Sequence, residues 1–484
     1  MMQQSTVLEV FEVASDSRKE NFVRIVLAAI LAAVAGLGLT PRLLAQEGEY
    51  ERAGRSLSDL MKVDDGPGRF VPGIPRSTVD EAKASKEGIR KIAGRRLILF
   101  TDLPYDPLIE ELPEVFDQAF PIWCNYFSVD PASRATWQMT GFLMKDGDRF
   151  RRTGLLPRHL PPFRNGFSVN YDLWLYEQET PYYRRHLLLH EGTHGFMNTI
   201  LRSCGPPWYM EGTAELLGTH QWKDGRLTMG IVPKSRDDVP GWGRVRRVQD
   251  LFAEGKALSL PQVFDFSGTA HQDNDAYAWS WAAAALLDLH PRYQVRFRSL
   301  SRAVEDRDFT ERFRKLIGDD WRALAEEWQV FVGNIEYGYD VPRMAIDFTP
   351  GGPPRSGWNL IRVEADRGWQ NSRIRLDGGK AYEIRAQGRY QVADQPAIWW
   401  CEPGGVTIRY YHGRPLGVLL AAVRSDDPHN ETSVFLQPET VGLGTTIRTE
   451  SAGTLYLRIN DSAAELDDNA GTLDVAIREA TENP

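Results

Sequence analysis

The chain has 484 residues, 42% hydrophobic and 25% charged, enough for two or three domains with cores of their own and unlike a disordered protein. A formal net charge of −9 argues against nucleic acid as the main partner, because phosphate binding needs a basic surface. Three cysteines, Cys124, Cys204 and Cys401, are too few for a disulfide framework and lack metal-site spacing.

The first feature along the chain is an uncharged run from Ile25 to Leu39, IVLAAILAAVAGLGL, preceded by Arg18, Lys19 and Arg24. It is short for a membrane span and suits the apolar region of a signal peptide. Residues 1–45 are therefore expected to be a signal peptide or a retained signal anchor. Export to the periplasm, the cell surface or the medium follows. Residues 46–91, with turns at Gly66-Pro67-Gly68 and Pro72-Gly73, read as a linker or loosely attached arm.

From Arg95 the pattern becomes mixed. RLILFTDL reads as a strand, Pro107 to Phe127 as an amphipathic helix, and Trp137–Met144 and Gly166–Gln178 as further strands. Helical patterns follow at Pro181–Ile200, Met210–His220, Ala276–Leu289, Asp308–Leu316 and Trp321–Val332. Strands followed by a run of helices predict an α+β domain, placed at 92–345. A linker rich in Gly and Pro is expected at 346–358. Beyond it, short alternating segments such as AYEIRAQG, VTIRYY, TLYLRIN and TLDVAI predict an all-β sandwich over 359–484.

His190-Glu191-Gly192-Thr193-His194 falls in the first long helix. Residues four apart share a helix face, so both imidazoles can present to one metal ion, with Glu191 beside the first and able to reach a water on it. Zinc in a catalytic site needs a third protein ligand. After the Gly205-Pro206-Pro207 break comes WYMEGTAELLG, which sets Glu211 and Glu215 four apart on a second helix.

Taken together, His190-Glu191-x-x-His194 and Trp208-x-x-Glu211-Gly212-x-Ala214-Glu215 resemble the gluzincin metallopeptidases. The resemblance implies a zincin-like peptidase domain, zinc held by His190, His194 and Glu211, and Glu191 as general base. Glu215 matches the acidic position that hydrogen-bonds a ligand histidine and fixes its tautomer. Tyr277, opening a later helix, matches the phenol that lines the cleft and can stabilise an oxyanion, or else packs into the core; His271 is a weaker substitute. His186, one turn before His190, is expected beside the site or at the surface. The implied activity is hydrolysis of a peptide or protein substrate, and nothing in these residues specifies a cleavage sequence.

The C-terminal segment LYLRINDSAAELDDNAGTLDVAI, Leu455 to Ile477, gathers Asp461, Asp468 and Asn469 in a loop between two strands. Calcium takes roughly six to eight such oxygens. The segment resembles the calcium-dependent galactose-binding lectin β-sandwich of bacteria, over about residues 359–477. The resemblance implies calcium at Asp461, Asp468 and Asn469, with backbone carbonyls near Glu465 and Val392, and a carbohydrate or cell-envelope partner. The lectin's His-Pro-x-Gln stretch is replaced by WWCEPGGVTIRYYHG, which departs from the pattern where sugar is contacted. The alternative for the loop is a polar hairpin turn, since Asp and Asn favour turns anyway.

Two functions stand at this level. One is an exported zinc peptidase with a β-sandwich for binding or targeting. The other is a non-enzymatic surface protein that binds glycan or matrix and uses the zinc fold as a scaffold. Glu191 speaks for the first, because a scaffold needs ligands but no general base.

Overall fold

The computed structural model describes residues 69–480 except 75, 159, 268–273 and 428–431. The expected signal segment, residues 46–68 of the expected arm, and His271 lie outside the described residues. Within the rest of that arm, helix α1 (Glu81–Lys86) is capped by the Asp80 side chain, and Arg90 opens strand β1 (Arg90–Ala93).

β1, β2 (Leu97–Thr101), β3 (Met139–Met144), β4 (Gly166–Val169) and β5 (Asp172–Tyr176) form one sheet in the order β1-β2-β3-β5-β4. The three central strands run parallel, and β1 and β4 lie antiparallel at the two edges. The central strands are nearly continuous apolar runs because both of their faces are covered. Leu97, Leu99, Met139, Leu143, Leu173 and Leu175 join the helical core, while Phe100, Phe142, Met144 and Trp174 pack with Phe150 and Leu155 on the other side.

The helix expected over Pro107–Phe127 breaks into α2 (Pro107–Glu110) and α3 (Leu112–Tyr126). Pro113 lacks an N–H and fits the first turn of a new helix better than the interior of a continuous one. α4 (Gly147–Thr153) covers the second sheet face. The strand segments expected over Gly166–Gln178 form the β4–β5 hairpin, turning at Asn170 with φ 49°, a conformation Asn tolerates.

The helical half contains α5 (Pro181–Phe196), α6 (Pro207–Gly218), the hairpin of β6 (His220–Lys223) and β7 (Arg226–Met229), α7 (Arg244–Ala253), α8 (Leu260–Phe264), α9 (Asn274–Leu289), α10 (Gln294–Ser299), α11 (Phe309–Ile317), α12 (Trp321–Asn334) and α13 (Val341–Met344). No helix among the described residues is long and apolar enough to cross a membrane.

The C-terminal region is built of β8 (Asn359–Glu364), β9 (Gln370–Leu376), β10 (Ala381–Gln387), β11 (Tyr390–Ala393), β12 (Trp399–Cys401), β13 (Val406–Tyr411), β14 (Arg414–Leu416), β15 (Leu419–Ser425), β16 (Glu439–Thr440), β17 (Gly444–Arg448), β18 (Gly453–Ile459) and β19 (Thr472–Glu479). Two four-stranded sheets result, β17-β10-β19-β8 and β16-β15-β18-β9, all antiparallel. Val363, Ile384 and Val475 from one sheet share an apolar cluster with Leu376, Leu419 and Leu457 from the other. The opposite face of β15 and β18, with Leu420, Ala422 and Tyr456, belongs to the helical core instead. Arg424 seals this contact with a two-pronged pair to Glu326 on α12. The chain is thus a mixed α and β structure with several sheets.

Candidate metal centre

α5 starts at Pro181 behind Thr180, whose hydroxyl accepts from Tyr183 N–H at 3.1 Å. His186, His190 and His194 sit one per turn and all are buried. The helix is braced by Trp123, whose indole donates to Thr193 Oγ1 at 3.0 Å. α6 crosses α9 closely at Gly212, where a Cβ would stand 2.5 Å from the Ser280 carbonyl oxygen. α6 meets α5 closely as well, a Cβ at Gly218 standing 3.0 Å from the His186 ring, and Glu211 lies under the histidines.

His190 Nε2 lies 3.1 Å from His194 Nε2 and 3.3 Å from Glu211 Oε2, and His194 Nε2 lies 3.4 Å from the same oxygen. A triangle of these sides has its centre about 1.9 Å from each corner, close to the roughly 2.0–2.2 Å of zinc–nitrogen and zinc–oxygen bonds. Glu211 Oε2 is buried without a hydrogen-bond partner among the described residues. The donor set therefore fits a metal ion. Burial pulls the His190 pKa down, but the Glu211 and Glu215 carboxylates outweigh it and carry it up to about 10. Burial raises Glu211, yet His194 and His190 take it down to about 2. A centre that holds a proton this firmly favours positive charge, as a cation site does.

Glu215 supports the cluster from behind. Its Oε1 stands 3.4 Å from His190 Nδ1, an ion-pair contact without the alignment of a hydrogen bond. Its Oε2 lies 3.5 Å from His186 Nε2. Arg244 donates to both oxygens at 3.0 Å, and the Trp242 indole donates to Oε2 at 3.2 Å. His186, His190 and Glu215 are also close enough to share an ion. With Glu215 occupied by Arg244 and Trp242, this group reads as the support of the first.

Glu191 is buried, and Ser168 Oγ donates to its Oε2 at 2.8 Å. Tyr277 is partly exposed at the start of α9, with its ring centroid 6.0 Å from that of His190 and the Arg244 guanidinium 5.3 Å from its own. Burial, then the carboxylates of Glu211, Glu191 and Glu215, push its phenol well above the usual range, so it stays a donor. The structure thus brings His190, Glu191, His194, Glu211, Glu215 and Tyr277 together. Ser168, Trp242 and Arg244 complete the site. No local pattern marks them, since they reach it across long sequence separations.

In the C-terminal loop Asp461 is fully buried and accepts from Ser462 N at 2.7 Å and from Asn469 Nδ2 at 2.9 Å. Burial pushes its carboxyl up to about 7. Asp468 Oδ1 and Asn469 Oδ1 are buried oxygens without a hydrogen-bond partner among the described residues. The loop thus holds two unpartnered oxygens, at Asp468 and Asn469, while both Asp461 oxygens are taken by the Ser462 N–H and the Asn469 amide. The Glu465 side chain turns away to pair with Arg409 at 2.6 Å. The loop abuts the helical half, where Ser462 Oγ donates to Glu336 at 2.7 Å and Asp340 N to the Ala463 carbonyl at 3.0 Å.

No family model matches the chain, and no curated protein matches it. Among solved structures it is similar to the EclA N-terminal domain, described as a PllA-like lectin, with 21% identity over 25% of this chain and 95% of that one, at a TM-score of 0.20. It is also similar to the IMPa metallopeptidase in complex with T-antigen, with 12% identity over 81% of this chain and 42% of that one, TM-score 0.16. IMPa from Pseudomonas aeruginosa gives 12% identity over 72% and 38%, TM-score 0.16. The chain spans less than half of IMPa's length, and likenesses this weak carry no argument here.

Proposed function

We propose that the chain is an exported zinc metallopeptidase of the gluzincin type, with a C-terminal β-sandwich that binds or targets. The observation that carries this reading is the convergence of His190 Nε2, His194 Nε2 and Glu211 Oε2 within 3.1–3.4 Å, with Glu191 on the same helix. When bound, zinc supplies a Lewis acid that activates water and polarises a carbonyl. Glu191 takes a proton from the attacking water and delivers it to the leaving amine. Tyr277 donates its phenol proton in a hydrogen bond to the developing oxyanion. Glu215, held by Arg244 and Trp242, keeps the His190 ring in place. The β4 edge beside Glu191 offers an extended peptide a strand to pair with.

The domain limits proposed are a peptidase domain over 92–345 and a lectin-like sandwich over 359–484, with calcium at Asp461, Asp468 and Asn469. The ligand of the sandwich is a carbohydrate or cell-envelope component.

The test is Glu191→Gln in the full chain. Metal analysis is expected to find about one zinc per chain in both proteins, with peptide hydrolysis lost only in the variant. Equal activity in the variant would remove Glu191 as the base. A zinc-loaded wild type inert across a broad peptide library would favour the scaffold reading.

A further inference from the structure

We infer that Ser168 is a positioning residue for Glu191, and that Gly166 clears the space in which Ser168 holds it. This rests on the peptidase reading above.

Residues two apart on a strand share a face. Gly166 pairs with Leu175 and Ser168 with Leu173, so all four face the helical layer, whereas Phe167 and Trp174 face the opposite side. On β5 that inward face is filled by leucines, as packing against a helix ordinarily asks. On β4 it carries no side chain at 166 and a hydroxyl at 168. Packing against Leu187, whose Cδ1 would stand 3.0 Å from a Cβ at 166, explains part of the difference, and the carboxylate of Glu191 explains the hydroxyl at 168. A Cβ at 166 would stand 2.8 Å from Glu191 Oε1 and 3.0 Å from its Cγ, so any other residue there displaces the side chain. Ser168 Oγ donates to Glu191 Oε2 at 2.8 Å, with both residues buried.

A glutamate has three side-chain torsions, and a base works only when its oxygen is aimed. The serine removes that freedom at one oxygen. With Oε2 taken, Oε1 is the oxygen left to receive a proton. The edge strand therefore does more than close the sheet: it holds the orientation of the residue that moves the proton.

The experiment uses the zinc-loaded full chain as wild type, Glu191→Gln, Ser168→Ala and Gly166→Ala. It measures kcat and KM on a cleavable peptide, zinc content, Tm and a crystal structure of Ser168→Ala. Ser168→Ala is expected to lose about tenfold or more in kcat, with KM, zinc content and Tm unchanged and the Glu191 carboxylate displaced in the crystal. Gly166→Ala is expected to lose more kcat, with zinc retained. An active wild type, an inactive Glu191→Gln and a Ser168→Ala enzyme with kcat within about twofold of wild type would overturn the inference and leave the peptidase reading standing. A fall in kcat matched by loss of zinc or of Tm would reduce Ser168 to a structural role and overturn it too. If the wild type cleaves nothing, the peptidase reading fails on its own, and the crystal structure decides: an unmoved Glu191 overturns the role of Ser168, a displaced one upholds it.

Discussion

Around Glu215 an arginine, a tryptophan and two histidines crowd one buried carboxylate. Removing the arginine leaves a buried charge whose main counter-ion is gone, which costs about 3–5 kcal/mol. Arg244→Met is therefore expected to lower Tm and to weaken zinc binding by about 10–100-fold, read by competition with a chelator. Zinc affinity equal to wild type would mean that Glu215 acts without its arginine. The sequence made His190, Glu191, His194, Glu211 and Glu215 legible because helical spacing places them on known faces. Arg244 and Ser168 were illegible because a strand and a helix distant in sequence deliver them, and an arginine or serine in such places has no pattern of its own.

Among the elements, the hairpin that follows α6 carries a proton-sensitive joint. The ring of His220 contacts the Gly218 carbonyl through Nδ1 at 2.8 Å and accepts from Arg185 at Nε2 at 3.4 Å, which defines a neutral tautomer. Burial lowers its pKa to about 3, against the pull of the Gly218 carbonyl. Because the folded value lies below the unfolded one, its stability is complete above about pH 6.5 and is lost as pH falls toward 3, about 2 kcal/mol by pH 5. Wild-type Tm should drop between pH 7 and pH 5, and His220→Gln should flatten that drop. An unchanged slope in the variant would place the acid sensitivity elsewhere. The proline start at Pro181 is legible in the sequence, whereas Pro207 reads as part of a break and the helix expected from Met210 in fact opens there, three residues earlier. α7 was not legible, since it begins after the left-handed Gly243 with no side-chain cap to announce it.

For the molecule as a whole, the decisive feature is the double burial of β15 and β18. The run LLAA in β15 does not alternate, and both of its faces are covered, one by the second sheet and one by α12 and its neighbours. The short, turn-bounded segments made the β character legible, but not which sheet would surrender its outer face to the helices. A C-terminal fragment cut at 349 would expose Leu420, Ala422 and Tyr456, so calcium is better tested in the full chain. Calcium at about a hundredfold over Kd is expected to add about 2.7 kcal/mol of stability. Asp461→Ala with Asp468→Ala should abolish the rise in Tm. A Tm unaffected by calcium in the wild type would leave the loop a polar turn.

The seal between Arg424 and Glu326, together with the apolar face beneath it, has a consequence for reach. A peptidase joined to its binding module by a slack tether can cut anywhere within the tether's radius. On the proposed reading the two are instead held at one distance and one angle by this contact, so anchoring the C-terminal sheets to a surface would also aim the cleft. Cuts in an anchored substrate should then cluster at a fixed offset from the anchoring point, like the marks of a ruler rather than the sweep of a rope.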